Sequence, residues 1–306
     1  MVYMARLTTY SILENKLASN DFIKGIIVKR KNKGFTLVEV MTTVTIIVIL
    51  VALLIPALSM VRRMANETAQ KAQFAAIDMA IMAFRNDFGD YPPLSSNCPS
   101  PSNNYCGAQR LAEALLGWDL LGFHPNSQWT TNGRDCSGIL IYDPNNLDMR
   151  RGPYLETSKA NAFKLGDLFG WVAGKTGTLA ANTFVMCDVF AAKQVAIGGK
   201  TVKAGTPILY YKANTSSKSI TVAPPNLDQR IYNVYDNDTL VQLGAIAGGT
   251  HPLGTKNVGG EYPVFYNNIT DPKITTIPWP YRPDSYILIS AGADGLYGTS
   301  DDIRNF

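Results

Sequence analysis

One carboxylate, Glu39, lies inside an otherwise apolar run, five residues past Gly34 and just behind the cations Lys29, Arg30, Lys31 and Lys33. An acid in a membrane-length segment costs roughly 2.5–3.5 kcal/mol on insertion scales, and less near a helix end. Snorkelling of the carboxylate to the headgroups is the plainest account of it. A chemical account needs a partner cation. Cleavage of the Gly34–Phe35 bond would create one, the α-amino group of Phe35. In an array of such helices that amine could pair with Glu39 of a neighbouring subunit, neutralising both charges and setting the register of adjacent helices.

A second set of acids closes the chain. In "SAGADGLYGTSDDIRNF", Asp294, Asp301 and Asp302 stand among Gly292, Gly295 and Gly298. Asp-Gly supports a tight turn, and turn chemistry is the reading that the pattern favours by itself. A hard cation such as calcium, which takes six to eight oxygens, is the sharper alternative. The spacing is not that of an EF-hand.

The remaining candidates for chemistry are few. Cys98, Cys106, Cys136 and Cys187 are the four cysteines. If they lie outside the cytoplasm, disulfides persist. The loop between Cys98 and Cys106 has no other evident brace, so that pair is favoured, leaving Cys136–Cys187. The other two connectivities and four free thiols stay open. Zinc is disfavoured, since there is no Cys-x-x-Cys spacing and His124 and His251 are isolated beside prolines. "GWVAGKTGT" (170–178) has three residues between its glycines where a phosphate loop needs four. Paired acids such as Asp301-Asp302 lack evident partner groups, and no nucleophile elbow is present, so the expectation is a protein that is not an enzyme.

The apolar run that holds Glu39, from Phe35 to Leu58, is 24 residues long. As a helix it spans about 36 Å, enough for a hydrocarbon core of roughly 30 Å. Residues 1–34 carry seven Lys/Arg and two acids, a net of +5, so the rest of the chain nets −1 within a total of +4. Such a cationic flank keeps its end of the segment in the cytoplasm, and nothing in the remainder suggests a nucleic-acid surface. The segment has three readings: a single-pass anchor, a secretory signal cut after Ser59, or a helix retained after a cut at Gly34–Phe35. Pro56 predicts a kink or local melting. Beyond it Val61, Met64, Ala65, Ala69, Ala72, Ala76, Met79, Ala80, Ala83 and Phe84 recur at helical spacing, with Gln70 and Gln73 among the intervening polar residues. This predicts an amphipathic continuation ending near Phe88, capped by Gly89. A signal-peptide cut would discard half of that helix.

Residues 90–306 predict an α+β head. Ala108–Leu121 reads as a helix stopped by Gly122. Phe184–Phe190, Pro207–Lys212, Tyr262–Tyr266 and Tyr286–Ser290 read as strands, and Gly198-Gly199 as a hairpin turn. The expectation is a small antiparallel sheet packed on the second half of the long helix.

"KGFTLVEVM" followed by an apolar helix closely resembles the signal of type IV pilins and type II secretion pseudopilins. "RGPYLE", "PILYYKAN" and "RPDSYILISAGADG" resemble the major-pseudopilin type, well at the two ends of the chain and in patches between. The resemblance implies a leader, 1–34, that a prepilin peptidase removes, with N-methylation of Phe35 and Glu39 as the assembly carboxylate. It implies a filament-core helix at 35–58, its amphipathic continuation at 59–89 and a head at 90–306, enlarged by insertions between residues 95 and 260. It further implies insertion in the inner membrane with the leader cytoplasmic and the head outside. The partners implied are the subunit itself, an assembly platform with its ATPase, and minor pseudopilins. Calcium is implied at Asp294, Asp301 and Asp302, with Ser290, Leu296 and Thr299 as weaker ligands. The implied function is protein export by a secretion pseudopilus. The alternatives are a surface-pilus subunit and an anchored binding protein that never polymerises.

Overall fold

The computed structural model describes residues 34–95, 105–220 and 229–306. The leader residues before Gly34, and Cys98, lie outside the described residues. Helix α1 runs from Leu37 to Phe88 with Pro56 inside it, so the local melting expected at Pro56 does not occur. Proline removes one donor and strains one turn, and 52 helical residues carry that loss. Gly89 ends the helix with φ +81° and donates its N–H to the Arg85 carbonyl at 2.7 Å.

The chain divides into two units, Met1–Leu58 and Ser59–Phe306. In the first, the described apolar residues are exposed, Phe35 at 80%. The helix is long and apolar enough to cross a membrane, with mean hydropathy 2.9 in its apolar window. Hydroxyls within that stretch bond back to the helix: Thr42 to the Glu39 carbonyl at 3.0 Å, Thr43 to that of Val40 at 2.9 Å and Thr45 to that of Met41 at 2.7 Å. These three hydroxyl protons are therefore not left to desolvate unpaired.

The second unit has the α+β architecture. After α2 (Gly107–Leu116) come the short α3 (Thr157–Ala160), β1 (Ala162–Lys164), α4 (Leu165–Phe169) and β2 (Phe184–Met186). Then follow β3 (Lys193–Ile197), β4 (Lys200–Ala204), β5 (Leu209–Lys212), α5 (Tyr235–Val241), α6 (Pro263–Ile269), β6 (Tyr286–Ser290) and β7 (Ile303–Arg304). The strands form antiparallel sheets ordered β1-β2, β3-β4 and β5-β6-β7. Gly198 and Gly199, both at positive φ, turn the β3-β4 hairpin.

The three-stranded sheet is buried on both faces. Successive side chains point to opposite sides of a strand. Tyr210 and Leu288 accordingly join Phe74, Ile77, Ile81 and Phe84 of α1, while Tyr211, Ile287 and Ile289 join Phe265, Tyr262 and Leu240 on the other side. That is why every residue of β6 is buried.

Three sequence expectations are corrected. The second helix stops at Leu116, because Gly117 adopts φ +90° and donates to the Glu113 carbonyl. Tyr262–Tyr266 is the start of α6 and not a strand, with Pro263 in the first turn, where its missing N–H costs nothing. The buried stripe of α1 is Phe74, Ile77, Ala80, Ile81 and Phe84 together with Gln70 and Gln73, whereas Met79 of the expected stripe is 68% exposed.

Candidate functional site

Thr36 precedes α1, and its Oγ1 accepts the backbone N–H of Glu39 at 3.2 Å. The Thr-x-x-Glu spacing is that of a capping box. An acid in the first turn also suits the positive end of the helix dipole. Local structure therefore explains why a carboxylate is tolerated at position 39. It does not neutralise it, since no ion pair to the exposed Glu39 carboxylate exists among the described residues. Gly34, Phe35 and Glu39 stand together at one exposed helix end. In the uncut chain the Phe35 nitrogen is an amide with no charge to offer.

The C-terminal acids lie in the loop between β6 and β7. Asp301 Oδ2 accepts the N–H groups of Ala293 and Asp294 at 2.8 and 3.0 Å, and its Oδ1 accepts the Thr299 hydroxyl at 2.6 Å. Gly292, at φ +67°, lies so close to this residue that an added Cβ would sit 2.2 Å from the Asp301 carbonyl oxygen. Burial pushes the Asp301 carboxyl up, but these hydrogen bonds, with one from the Asp294 side chain, outweigh it and hold the group below its ordinary value. Asp294 and Asp301 are thus adjacent carboxylates. Asp294 also accepts the Leu296 N–H at 2.8 Å.

Asp302 turns elsewhere. Its Oδ2 accepts the Gly298 N–H at 2.9 Å and lies 3.5 Å from Arg304, while its buried Oδ1 has no hydrogen-bond partner among the described residues. Burial raises its pKa to about 6, against the pull of Gly298 and Arg304. Thr299 also donates to the Leu296 carbonyl. Ser290 faces the core instead, giving its hydroxyl to Asp188 Oδ2 at 2.9 Å. Among the described residues no group of three acids, histidines or cysteines could hold a metal as placed. The loop does offer a cation one adjacent carboxylate pair and one buried, unpartnered carboxylate oxygen.

The cysteine expectation is corrected. Cys136 is disulfide-bonded, and Cys106 and Cys187 are free and buried, so neither Cys98–Cys106 nor Cys136–Cys187 is formed. Both free thiols lie in the apolar core, where they act as small hydrophobes. Burial pushes Cys106 up to about 11 and Cys187 well above its usual range. Cys136 lies in an exposed loop.

Several polar residues that organise the head gave no periodic signal. The Gln73 side-chain amide donates to the Cys187 carbonyl at 2.9 Å, and Gln70 Oε1 accepts the Val189 N–H at 2.9 Å. Buried Asp188 accepts Ser290, Thr206 and Phe190, and burial raises its pKa to about 7 against those bonds. Burial likewise raises Glu113, which accepts the Tyr105 and Tyr142 hydroxyls and that of Ser127. The two histidines lie beside prolines in irregular segments and are structural, not solvated. His124 and His251 are buried, and each Nδ1 accepts a backbone N–H, from Asn126 and Tyr297 respectively.

A model of the prokaryotic N-terminal methylation motif matches residues 29–55. Comparison with curated proteins and with solved structures found no significant match. The matched segment contains Gly34, Phe35, Thr36 and Glu39 and supports a type IV pilin-like protein. The motif implies processing by a prepilin peptidase and assembly into a pilus-like filament. With the apolar helix it fits a single-pass membrane anchor.

Proposed function

We propose that this chain is a structural subunit of a type II secretion pseudopilus, cut between Gly34 and Phe35, N-methylated on Phe35 and assembled through α1. The leader stays in the cytoplasm and the head lies outside the inner membrane. One observation carries the reading. Within the matched motif, Glu39 stands on an exposed apolar helix with no ion pair among the described residues, five residues past a glycine where cleavage would create an amine. Pairing that amine with Glu39 of the next subunit neutralises both charges. Apolar helices then leave lipid at little cost, because they bury one another. An ATP-driven platform supplies the work, and growth of the rod moves exported proteins outward.

Mass spectrometry of the chain recovered from membranes tests this. A mature species starting at N-methylated Phe35 is expected. An intact leader overturns assembly and leaves an anchored protein, and a start at Met60 overturns both assembly and the anchor. A surface pilus is the second reading, favoured by the elaborated segment after α2, which exposes Ile139, Leu147 and Met149. Deletion of the gene separates the two: loss of secreted proteins supports the pseudopilus, and loss of twitching or DNA uptake supports the pilus.

Calcium at the C-terminal loop belongs to this proposal. Asp294 and Asp301 side by side repel each other unless a proton or a cation lies between them, and the unpartnered Asp302 oxygen is a further donor of the hard-oxygen type.

A further inference from the structure

Two short stretches of the head carry opposite charges. Residues 135–149 hold Asp135, Asp143 and Asp148 and no Lys or Arg, and residues 189–207 hold Lys193, Lys200 and Lys203 and no Asp or Glu. Neither stretch belongs to the N-terminal motif or to the acidic loop. The cations that flank the first are engaged locally. Arg150 grips both oxygens of Asp119 at 2.7 Å, and Arg134 donates to the Gly138 carbonyl at 2.8 Å. Asp148, Lys200 and Lys203 form no ion pair among the described residues.

Each stretch also exposes apolar side chains. The acidic one is the tip of an excursion closed at its base by the antiparallel pair Phe123–Arg151, and it exposes Ile139 and Met149, at 66% and 53%. Its turns are fixed. Asp135 Oδ1 accepts the Ser137 and Ile139 N–H groups at 2.9 and 2.7 Å, and Asp143 accepts that of Asn145 at 2.8 Å. A tip already ordered loses little freedom on docking. The basic stretch is the β3-β4 hairpin, of whose ten strand residues only Val195 and Ala204 are buried. Ile197 and Val202 are each 42% exposed. A two-stranded hairpin so open to water is marginal by itself. Lysines can guard such a hairpin against stray strand pairing, but that leaves its exposed apolar residues, and a groove beside it, without a role. The groove, of about 520 Å³, is floored by Ala69, Ala72 and Ala76 of α1 with Val189 and Ala191, and both Lys159 and Lys203 line it.

The two patches stand at different levels of α1. Phe123, at the base of the excursion, packs on Phe84 and Phe88 with ring centroids 5.2 and 5.1 Å away, whereas the groove lies on Ala69, Ala72 and Ala76. From Ala72 to Phe84 the helix rises about 18 Å. Patches at two such levels come together between copies whose α1 helices run parallel and are displaced along their axis. We infer that the acidic tip of one copy docks on the hairpin and groove of the next copy along the filament. Ile139 and Met149 cover the groove together with Ile197 and Val202. The aspartates meet the lysines around it, where such pairs fix orientation more than they add affinity. The contact joins two different patches, so every copy keeps one free for a further copy and the chain of contacts need not close. The inference rests on the filament reading. An anionic lipid surface would satisfy the lysines and leave the acidic tip uncovered.

Full-length chains carrying Met149→Cys or Val202→Cys, each with its own tag, test this when produced together in the native cells and treated with a short bis-maleimide. The parent chain, whose Cys106 and Cys187 are buried, is the blank. The expected result is a cross-link between the two forms and none in cells producing either form alone. Lys200→Glu with Lys203→Glu on the Val202→Cys chain should lower the yield roughly fivefold. Asp148→Lys on the Met149→Cys chain should restore it, which also reports that both variants are folded. All these positions are exposed. The inference is overturned if the mixed cells give no cross-link, if either form alone cross-links to itself, or if reversing the lysines leaves the yield unchanged. Filaments seen by electron microscopy in mixed cells without the cross-link overturn this contact and leave the assembly reading standing. Absence of both overturns the two together.

Discussion

At the scale of single residues, the head stakes much on a few buried acids. Asp188 joins three separate stretches of chain, through Thr206, Phe190 and Ser290, and burial lifts its pKa from 3.8 to about 7. A carboxyl raised in the folded state binds its proton there at pH values where the unfolded chain has lost it. Its contribution is full below the unfolded pKa and disappears as pH rises through the folded one. Asp236, raised by burial to about 8 against the pull of Arg110, acts in the same direction. His251, lowered by burial to about 4, acts oppositely but only below its unfolded value of 6.5. The melting temperature should therefore fall between pH 6.5 and 8. In Asp188→Asn, which does not titrate, the fall should be shallower. Calorimetry of parent and variant across that window checks it, and parallel curves would remove Asp188 as a cause.

At the scale of elements, the acidic loop carries the next prediction. Millimolar calcium should raise the melting temperature, and a chelator should lower it. With Asp294→Asn and Asp301→Asn together the response should vanish, and a parent melting temperature indifferent to both calcium and chelator refutes the site. Asp301 is also the loop's own brace through Ala293, Asp294 and Thr299, so the double variant should melt lower even without calcium. Such double duty limits what spacing alone reveals. The helix α1, the Gly198-Gly199 hairpin and β6 were legible because each is specified locally, by apolar period, turn residue or an unbroken β-type run. The span of α2 was not, since Trp118–Leu121 continues the apolar pattern and only Gly117, at positive φ, ends it. α6 was misread because a five-residue run rich in aromatics does not discriminate strand from helix. The docking face of α1 was mis-phased for a different reason. Gln70 and Gln73 are buried because they satisfy the backbone of Cys187 and Val189, and a polar residue carries no mark of a partner more than a hundred positions away. The disulfide failed similarly, since loop composition says nothing about which thiols the core absorbs.

At the scale of the whole molecule, the question is what a chain is for whose α1 exposes its apolar first half and carries there a carboxylate, Glu39, with no ion pair among the described residues. As a lone anchor, Glu39 is only a cost, and replacing it should improve insertion by roughly 2.5–3.5 kcal/mol at most, less at the helix end. As a filament subunit, the same replacement removes one half of an ion pair buried between helices, which costs about 3–5 kcal/mol and weakens each subunit addition by roughly a hundredfold or more. The two roles therefore predict opposite signs for one substitution. Glu39→Leu should be inserted and cut after Gly34 as efficiently as the parent, yet yield no filaments when sheared cell surfaces or purified assembly reactions are inspected by electron microscopy. Glu39→Gln keeps the size and the cap and loses only the charge, so it should fail as Glu39→Leu does. Recovery of assembly by Glu39→Asp would fix charge as the cause, because the shorter acid keeps the pair at reduced reach. Filaments from Glu39→Gln in parental yield would mean that the helices associate by packing alone, and the carboxylate would revert to a capping residue beside Thr36.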